Sequence, residues 1–128
     1  MRPETLLDFM GVAEHLKCNM RHSRMTDHRR ESVAEHTYRL CVFAWLVKEE
    51  FPDCDMDKVM KMCLFHDLGE ALTGDIPAFV KTDDDRETEG DALTLLTAML
   101  PGKERQELDE LFGELEREET MEAKIVHA

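Results

Sequence analysis

His66 and Asp67 are adjacent, and His36 stands 30 positions earlier in Ser32-Val33-Ala34-Glu35-His36-Thr37. Two imidazoles and a carboxylate form a donor set that suits Fe, Mn, Co or Zn better than Ca or a lone Mg. Two more acids follow at once, Glu70 and Asp75, in His66-Asp67-Leu68-Gly69-Glu70-Ala71-Leu72-Thr73-Gly74-Asp75-Ile76-Pro77. A cation to polarise a bond and an acid to accept a proton are what hydrolysis needs. The pattern therefore points to a metal-dependent hydrolase.

Each of these residues also has a plainer role. A lone inward histidine is usually a core residue, and His36 lies at i+3 from Val33 and i−4 from Leu40 on an apolar helix face. His66 changes that balance, because it lies at i+7 from Val59 and i+3 from Cys63, also on the inward stripe. Asp67 would reach the same point from the next position. A carboxylate buried beside two histidines costs several kcal/mol unless a cation offsets it, roughly the range for buried charges, so metal ligation by His36, His66 and Asp67 is the economical reading. Glu70, at i+4 from His66, is placed to orient or deprotonate an attacking water. Asp75 either bonds its own turn backbone or contacts the nucleophile, a substrate hydroxyl or a second metal ion. Arg21, in Asn19-Met20-Arg21-His22-Ser23-Arg24, offers a planar two-pronged donor to a phosphate. Arg24, Arg29 and Arg30 crowd the same stretch, placing four of the 16 basic residues within ten positions.

The elements that must position these groups read as helices, because apolar residues recur with a 3.6-residue period and no window alternates with a period of two. Leu6, Leu7, Phe9, Met10, Ala13 and Leu16 mark a first helix over residues 4–17. Residues 17–30 are polar and irregular and read as a long loop. Ser32-x-x-Glu35 is a capping box that opens a second helix, stopped by Phe51-Pro52. Asp55 or Asp57 caps a third helix carrying Val59, Met60, Cys63 and Leu64, ending near Gly69. A short turn over residues 70–73 follows. Beyond Asp83-Asp84-Asp85, a fourth helix carries Leu93, Leu96 and Leu100 before Pro101-Gly102, a fifth carries Leu108, Leu111, Phe112 and Leu115, and a sixth starts at Thr120 with no stop signal. The expected fold is an all-α orthogonal bundle forming one domain over residues 1–128. The unstopped last helix suggests a piece of a longer protein.

A composition of 42% hydrophobic and 35% charged residues fits a packed domain rather than a disordered one. A net charge of −13 argues against binding to a nucleic acid polymer, which needs a basic face, but permits a small phosphorylated substrate at a locally cationic pocket. No apolar run spans a bilayer and no export signal opens the chain, so the expected location is the cytoplasm. The four cysteines, Cys18, Cys41, Cys54 and Cys63, form no CxxC pair, and Cys41 and Cys63 read as reduced core residues. The nine methionines read as core gap-fillers.

Arg21, the Ser32–Thr37 segment, His66-Asp67-Leu68-Gly69-Glu70 and Leu72-Thr73-Gly74-Asp75-Ile76-Pro77 together resemble the HD-domain phosphohydrolases, and among them the 5′-deoxynucleotidase branch. The resemblance runs from about Leu6 to Ala128. It implies a helical HD fold, a divalent metal (Mn, Co, Fe, Zn or Mg) on His36, His66 and Asp67, and dephosphorylation of nucleoside 5′-monophosphates. It implies that Arg21 orients the phosphate, that Glu70 assists water attack, and that Asp75, Ile76, Pro77 and Ala78 border the nucleoside. A second metal at Glu70 and Asp75, a substrate-facing His22 and a homodimer belong to the same implication. His22 stands where bacterial nucleotidases of the family carry tryptophan. The family's late aspartate ligand is expected just past Ala128, so this stretch offers three ligands of four. Two further readings stand beside this one: a non-catalytic nucleotide-binding or interaction module on the same scaffold, and another HD activity such as a phosphodiesterase or alarmone hydrolase.

Overall fold

The computed structural model describes residues 1–74 and 82–128. In chain order these form α1 (Pro3–Ala13), a 3-10 turn (Glu14–Lys17), β1 (Met20–Arg24), β2 (Arg30–Ser32), α2 (Val33–Leu46), a second 3-10 turn (Lys48–Glu50), α3 (Met56–Phe65), α4 (Glu70–Thr73), α5 (Asp83–Ala98), α6 (Gly102–Arg117) and α7 (Met121–His127). The fold class is all-α, as expected, with one small antiparallel sheet added.

Helix boundaries follow local chemistry. The Ser32 hydroxyl accepts from the Glu35 backbone N–H at 3.1 Å, and the Glu35 carboxylate accepts from the Ser32 N–H at 3.0 Å, so the capping box that opens α2 is complete. The Arg29 guanidinium and these Ser32 bonds hold the Glu35 carboxyl down at about 2. Asp55, rather than Asp57, caps α3 by accepting from Lys58 N–H. Thr82 and Asp85 form a second capping box at α5, just ahead of the acidic run. Gly74 ends α4 with φ of 75°, a left-handed conformation that glycine adopts without a Cβ clash.

Two buried clusters share the interior. One gathers Ala44, Val59, Met62, Cys63, Leu100, Leu108, Leu111, Leu115, Ile125 and Val126, and the other Leu16, Val33, Leu68, Ala71 and Leu96. Phe9, Phe65 and Phe112 pack against both. Both α2 and the chain from α3 into α4 cross from one cluster to the other, and His36 and His66 lie in those crossings. A Cβ on Gly69 would stand 3.1 Å from Leu93 Cδ2, so glycine there lets α5 close over the turn that carries His66 and Asp67.

Three expectations differ from the structure. The stretch expected as a loop forms a hairpin, with Met20 opposite Ser32 and Arg24 opposite Arg30, and an irregularity between them. Its turn has no glycine. His28 takes φ of 68° instead, and Asp27 Oδ1 accepts from Arg29 N–H at 3.0 Å, a side-chain turn that substitutes for glycine chemistry. The first helix buries none of its residues. Leu6, Leu7 and Met10 are more than half exposed, because α1 docks by one edge, through Phe9, Val12 and Ala13. The methionines divide: Met62 is fully buried and Met56, Met60 and Met99 pack against the core, whereas Met1, Met10, Met20 and Met121 are exposed.

Replacing Ser32 with alanine removes the hydroxyl half of a cap at a buried position. Urea denaturation should register a loss of about 1 kcal/mol, with the metal site unaltered in position because α2 stays packed on α3.

Candidate metal centre

Helix α2 delivers His36, and the C-terminal end of α3 delivers His66 and Asp67. Packing of α2 on α3 brings the imidazoles to a centroid separation of 5.7 Å with a 57° tilt. Asp67 Oδ2 lies 2.9 Å from His66 Nε2 and 4.0 Å from His36 Nε2. Each of the three offers one ligand atom, and all of these atoms lie within 4.8 Å of one another. Two imidazole nitrogens and a carboxylate oxygen at this spacing are a donor set able to hold a divalent cation. The side chains are one-eighth to one-quarter exposed, so the group is accessible.

The two histidines have different surroundings. Behind His66, the Cys63 carbonyl lies 2.9 Å from Nδ1 and accepts its hydrogen bond, while Nε2 faces the Asp67 carboxylate. Both ring nitrogens thus face acceptors. Burial would push His66 down, but the Asp67 hydrogen bond and charge outweigh it and hold His66 above the ordinary histidine value. Asp67 responds in the opposite sense: burial would raise it, and His66, His36 and Arg21 hold it below the usual carboxylate range. His36 has a donor behind it. Arg21 Nη1 lies 2.9 Å from His36 Nδ1, and because a guanidinium has only donors, Nδ1 accepts. Burial first and this guanidinium second push His36 below its ordinary value.

Arg21 reaches the site from β1, where its Nη1 is also held by Glu31 Oε1 at 2.9 Å. Its neighbour His22 is exposed, as alternate strand positions are. The other arginines of this stretch serve the hairpin. Arg29 pairs with Glu35 at 2.6 Å, Arg30 Nε donates to the Arg21 carbonyl, and Arg24 donates to the His28 carbonyl. Glu70 opens α4 and lines a small cavity with His66, Asp67, Gly69, Glu89 and Leu93. Asn19 Nδ2 donates to the Glu70 carbonyl at 2.6 Å and His15 Nδ1 lies 3.3 Å from the Ala71 carbonyl, which ties α4 to the segment before the hairpin. A larger cavity of about 580 Å³, which shares His66, Glu89 and Leu93 with the small one, is bordered also by Arg86, Phe112, Glu116 and His127. Asp75, Ile76, Pro77 and Ala78 lie outside the described residues. Cys63 is not among the converging donor atoms, and burial pushes its thiol up to about 12.

Sequence reasoning passed over Glu31. It is 8% exposed and sits in a three-residue strand, too short to show alternation.

The family model for the HD domain matches residues 13–128. The chain belongs to the HD-domain family. It is 36% identical over 100 residues to human 5′-deoxynucleotidase HDDC2, covering 77% of this chain and 48% of that protein. It is 33% identical over 128 residues to the Xenopus laevis protein of the same name, covering 96% and 62%. The chain thus spans about half to two-thirds of the length of these relatives. Among solved structures, a protein from Magnetospirillum magnetotacticum described as a "predicted metal-dependent phosphohydrolase" superposes with a TM-score of 0.87 at 30% identity, covering 98% of this chain and 64% of that one. An HD-domain phosphohydrolase from Listeria innocua, 21% identical with a TM-score of 0.69 over 94% of this chain and 62% of its own, shares the fold.

The Asp67 carboxylate beside Nε2 favours a proton there, so a cation at that nitrogen competes with it. Because the same carboxylate holds His66 above the ordinary histidine value, that competition extends to higher pH than for a free imidazole. Affinity for Co(II) should therefore climb with pH through the neutral range, by up to about tenfold per unit for one released proton, and flatten once His66 is neutral. Titrations by cobalt absorbance at several pH values measure this slope.

Proposed function

We propose that this chain is the catalytic HD module of a metal-dependent phosphohydrolase that removes phosphate from nucleoside 5′-monophosphates, deoxynucleotides included. The convergence of His36, His66 and Asp67, with the Arg21 guanidinium against His36, carries the reading. Relatives named 5′-deoxynucleotidase support the substrate class. The nitrogen-rich donor set favours Mn, Co, Fe or Zn over Mg. When bound, the cation supplies Lewis-acid chemistry, neutralising phosphate charge and making a water more acidic.

The chain's own residues account for the other requirements. Arg21 presents a planar donor whose charge stabilises the phosphoryl oxygens as the P–O bond breaks. Glu70, bordering one cavity with His66 and Asp67, is the group in reach to accept the attacking water's proton. The water oxygen forms the new bond to phosphorus, the bond to the 5′ oxygen breaks, and that oxygen takes up a proton. The products are the nucleoside and inorganic phosphate. Asp75 to Pro77 and Ala78 are assigned to the nucleoside side, with a second metal at Glu70 and Asp75, on the resemblance alone.

The same reading has the chain pair with a second copy, a proposal supported by exposed Tyr38, Trp45 and Leu46 on α2 and by Leu7 and Met10 on α1. A cytoplasmic location also belongs to this reading. Among the described residues no helix is long and apolar enough to cross a membrane.

The test is phosphate release from dAMP and AMP with added Mn(II) or Co(II). Metal-stimulated release is expected, abolished by His36→Ala or Asp67→Ala, and lowered about 100-fold in kcat/KM by Arg21→Ala. Nucleotide binding without release in a metal-loaded protein would instead support a non-catalytic module.

A further inference from the structure

We propose that Glu31 is the positioning residue of this site, one buried carboxylate serving both the imidazole that meets the metal and the guanidinium that meets the phosphate. The assignment rests on the metal-centre reading above. Glu31 Oε1 lies 2.9 Å from Arg21 Nη1 and 3.6 Å from His36 Nδ1, and its side chain is 10% exposed. Arg21 Nη1, Glu31 Oε1 and His36 Nδ1 thus form a compact triangle behind the ligand atoms.

The need for an acceptor at that place follows from the ring. His36 turns Nε2 toward Asp67 and His66, so Nε2 is the atom that a cation would take. A neutral imidazole that gives Nε2 to a metal carries its proton on Nδ1, and that N–H needs an acceptor. His66 already has one in the Cys63 carbonyl. His36 instead receives a hydrogen bond from Arg21 at Nδ1, the arrangement suited to the ring's other tautomer. Arg21 cannot accept. Among the described residues Glu31 is the acceptor beside Nδ1, at 3.6 Å, just beyond hydrogen-bond length. With a metal held at Nε2, the ring's one proton would sit on Nδ1, exchanged through solvent with no net change in ring charge, and Glu31 would be its acceptor. Arg21 Nη1 would then leave Nδ1 while keeping its bond to Glu31, which would hold the guanidinium beside the site with its other donors available to an anion.

The hairpin makes this possible. Met20 opposite Ser32 places Arg21 across from Glu31, and the Ser32 cap that starts α2 puts His36 one turn further along. A carboxylate one residue before the cap is therefore fixed against both partners by backbone pairing.

The test uses Glu31→Gln, which preserves size and removes the charge, with Glu35→Gln as a comparison in the same segment. Co(II) titrations should show a dissociation constant weakened about 10- to 100-fold in E31Q and unchanged in E35Q, although both lose an ion pair to arginine. A purely structural role would lower the melting temperature and leave Co(II) affinity within about twofold, and that result overturns the assignment. If E31Q does not fold, imidazole nitrogen NMR of the wild-type chain with Zn(II) decides. Metal on His36 Nε2 with a proton on Nδ1 supports the assignment; metal on Nδ1, or a bare Nδ1, overturns it. Loss of Co(II) affinity in E31Q alongside no phosphate release from any nucleotide would sink the phosphohydrolase reading and leave Glu31 in place. No binding of Co(II) or Zn(II) by the wild-type chain overturns both.

Discussion

The Asp67 carboxylate, held between two imidazoles in a partly desolvated crossing of two apolar clusters, constrains everything around it. Removed from bulk water, such a carboxylate needs positive charge within a few ångströms. In this structure the groups that favour the carboxylate are the His66 imidazole, whose Nε2 lies 2.9 Å from it, and the nearby Arg21. A proton is an imperfect substitute, because it reaches one donor pair at a time, whereas a divalent cation would meet His36, His66 and Asp67 together. The fold keeps this arrangement because His36 sits on α2 and His66 and Asp67 in the turn directly after α3, and these two helices pack on each other. Precise placement on helices is what a metal site needs, since a ligand on a mobile loop loses affinity to its own conformational freedom.

Much of this could be read in the residues. The inward stripe Val33, His36, Leu40 and the stripe Val59, Cys63, His66 follow helical periodicity, and periodicity alone brings both rings to the interface. The Ser32–Glu35 box is a local motif whose partners are three residues apart, so it needed no tertiary information. The apolar faces of α5, α6 and α7 were likewise evident, with Leu96, Leu108, Leu111, Leu115, Ile125 and Val126 all buried. What periodicity could not give was how many faces of a helix find partners. The stripe of α1 is amphipathic by sequence, yet Leu6, Leu7 and Met10 stay exposed, because burial depends on which neighbour arrives and not on the helix itself.

The hairpin shows a second limit. Its strands hold arginines, a histidine and serines in place of the β-branched and aromatic residues that signal strands, and its turn relies on Asp27 and His28 rather than glycine. Tertiary fit overrides weak propensity in such a segment: Val33 N–H donates to the Asn19 carbonyl, and Arg30 donates across to the Arg21 carbonyl. The cluster of four arginines was visible, but sequence could not tell which one turned inward. Strand pairing decides it, giving Arg21 to the site and Arg24, Arg29 and Arg30 to the hairpin itself. Glu31 was invisible for the same reason, since its meaning depends on a cross-strand neighbour ten residues away.

Charge at the site links these observations. The chain carries a net charge of −13, which repels a phosphate monoester dianion. Locally, one guanidinium is paired with Glu31 and lies near the Asp67 carboxylate, and burial and Arg21 hold His36 below its ordinary value. When the His66 proton is gone, those fixed charges sum to a net negative site, hostile to an anionic substrate. A divalent cation reverses the sign, and does so at the point where Arg21 can share the load. On the proposed function, phosphate binding would thus be contingent on metal binding for an electrostatic reason independent of any catalytic step. Under the proposed function, an acidic protein would need no basic surface to take a nucleotide: the positive charge meeting the substrate would be concentrated in one ion and one arginine, with the acids around them holding both in place.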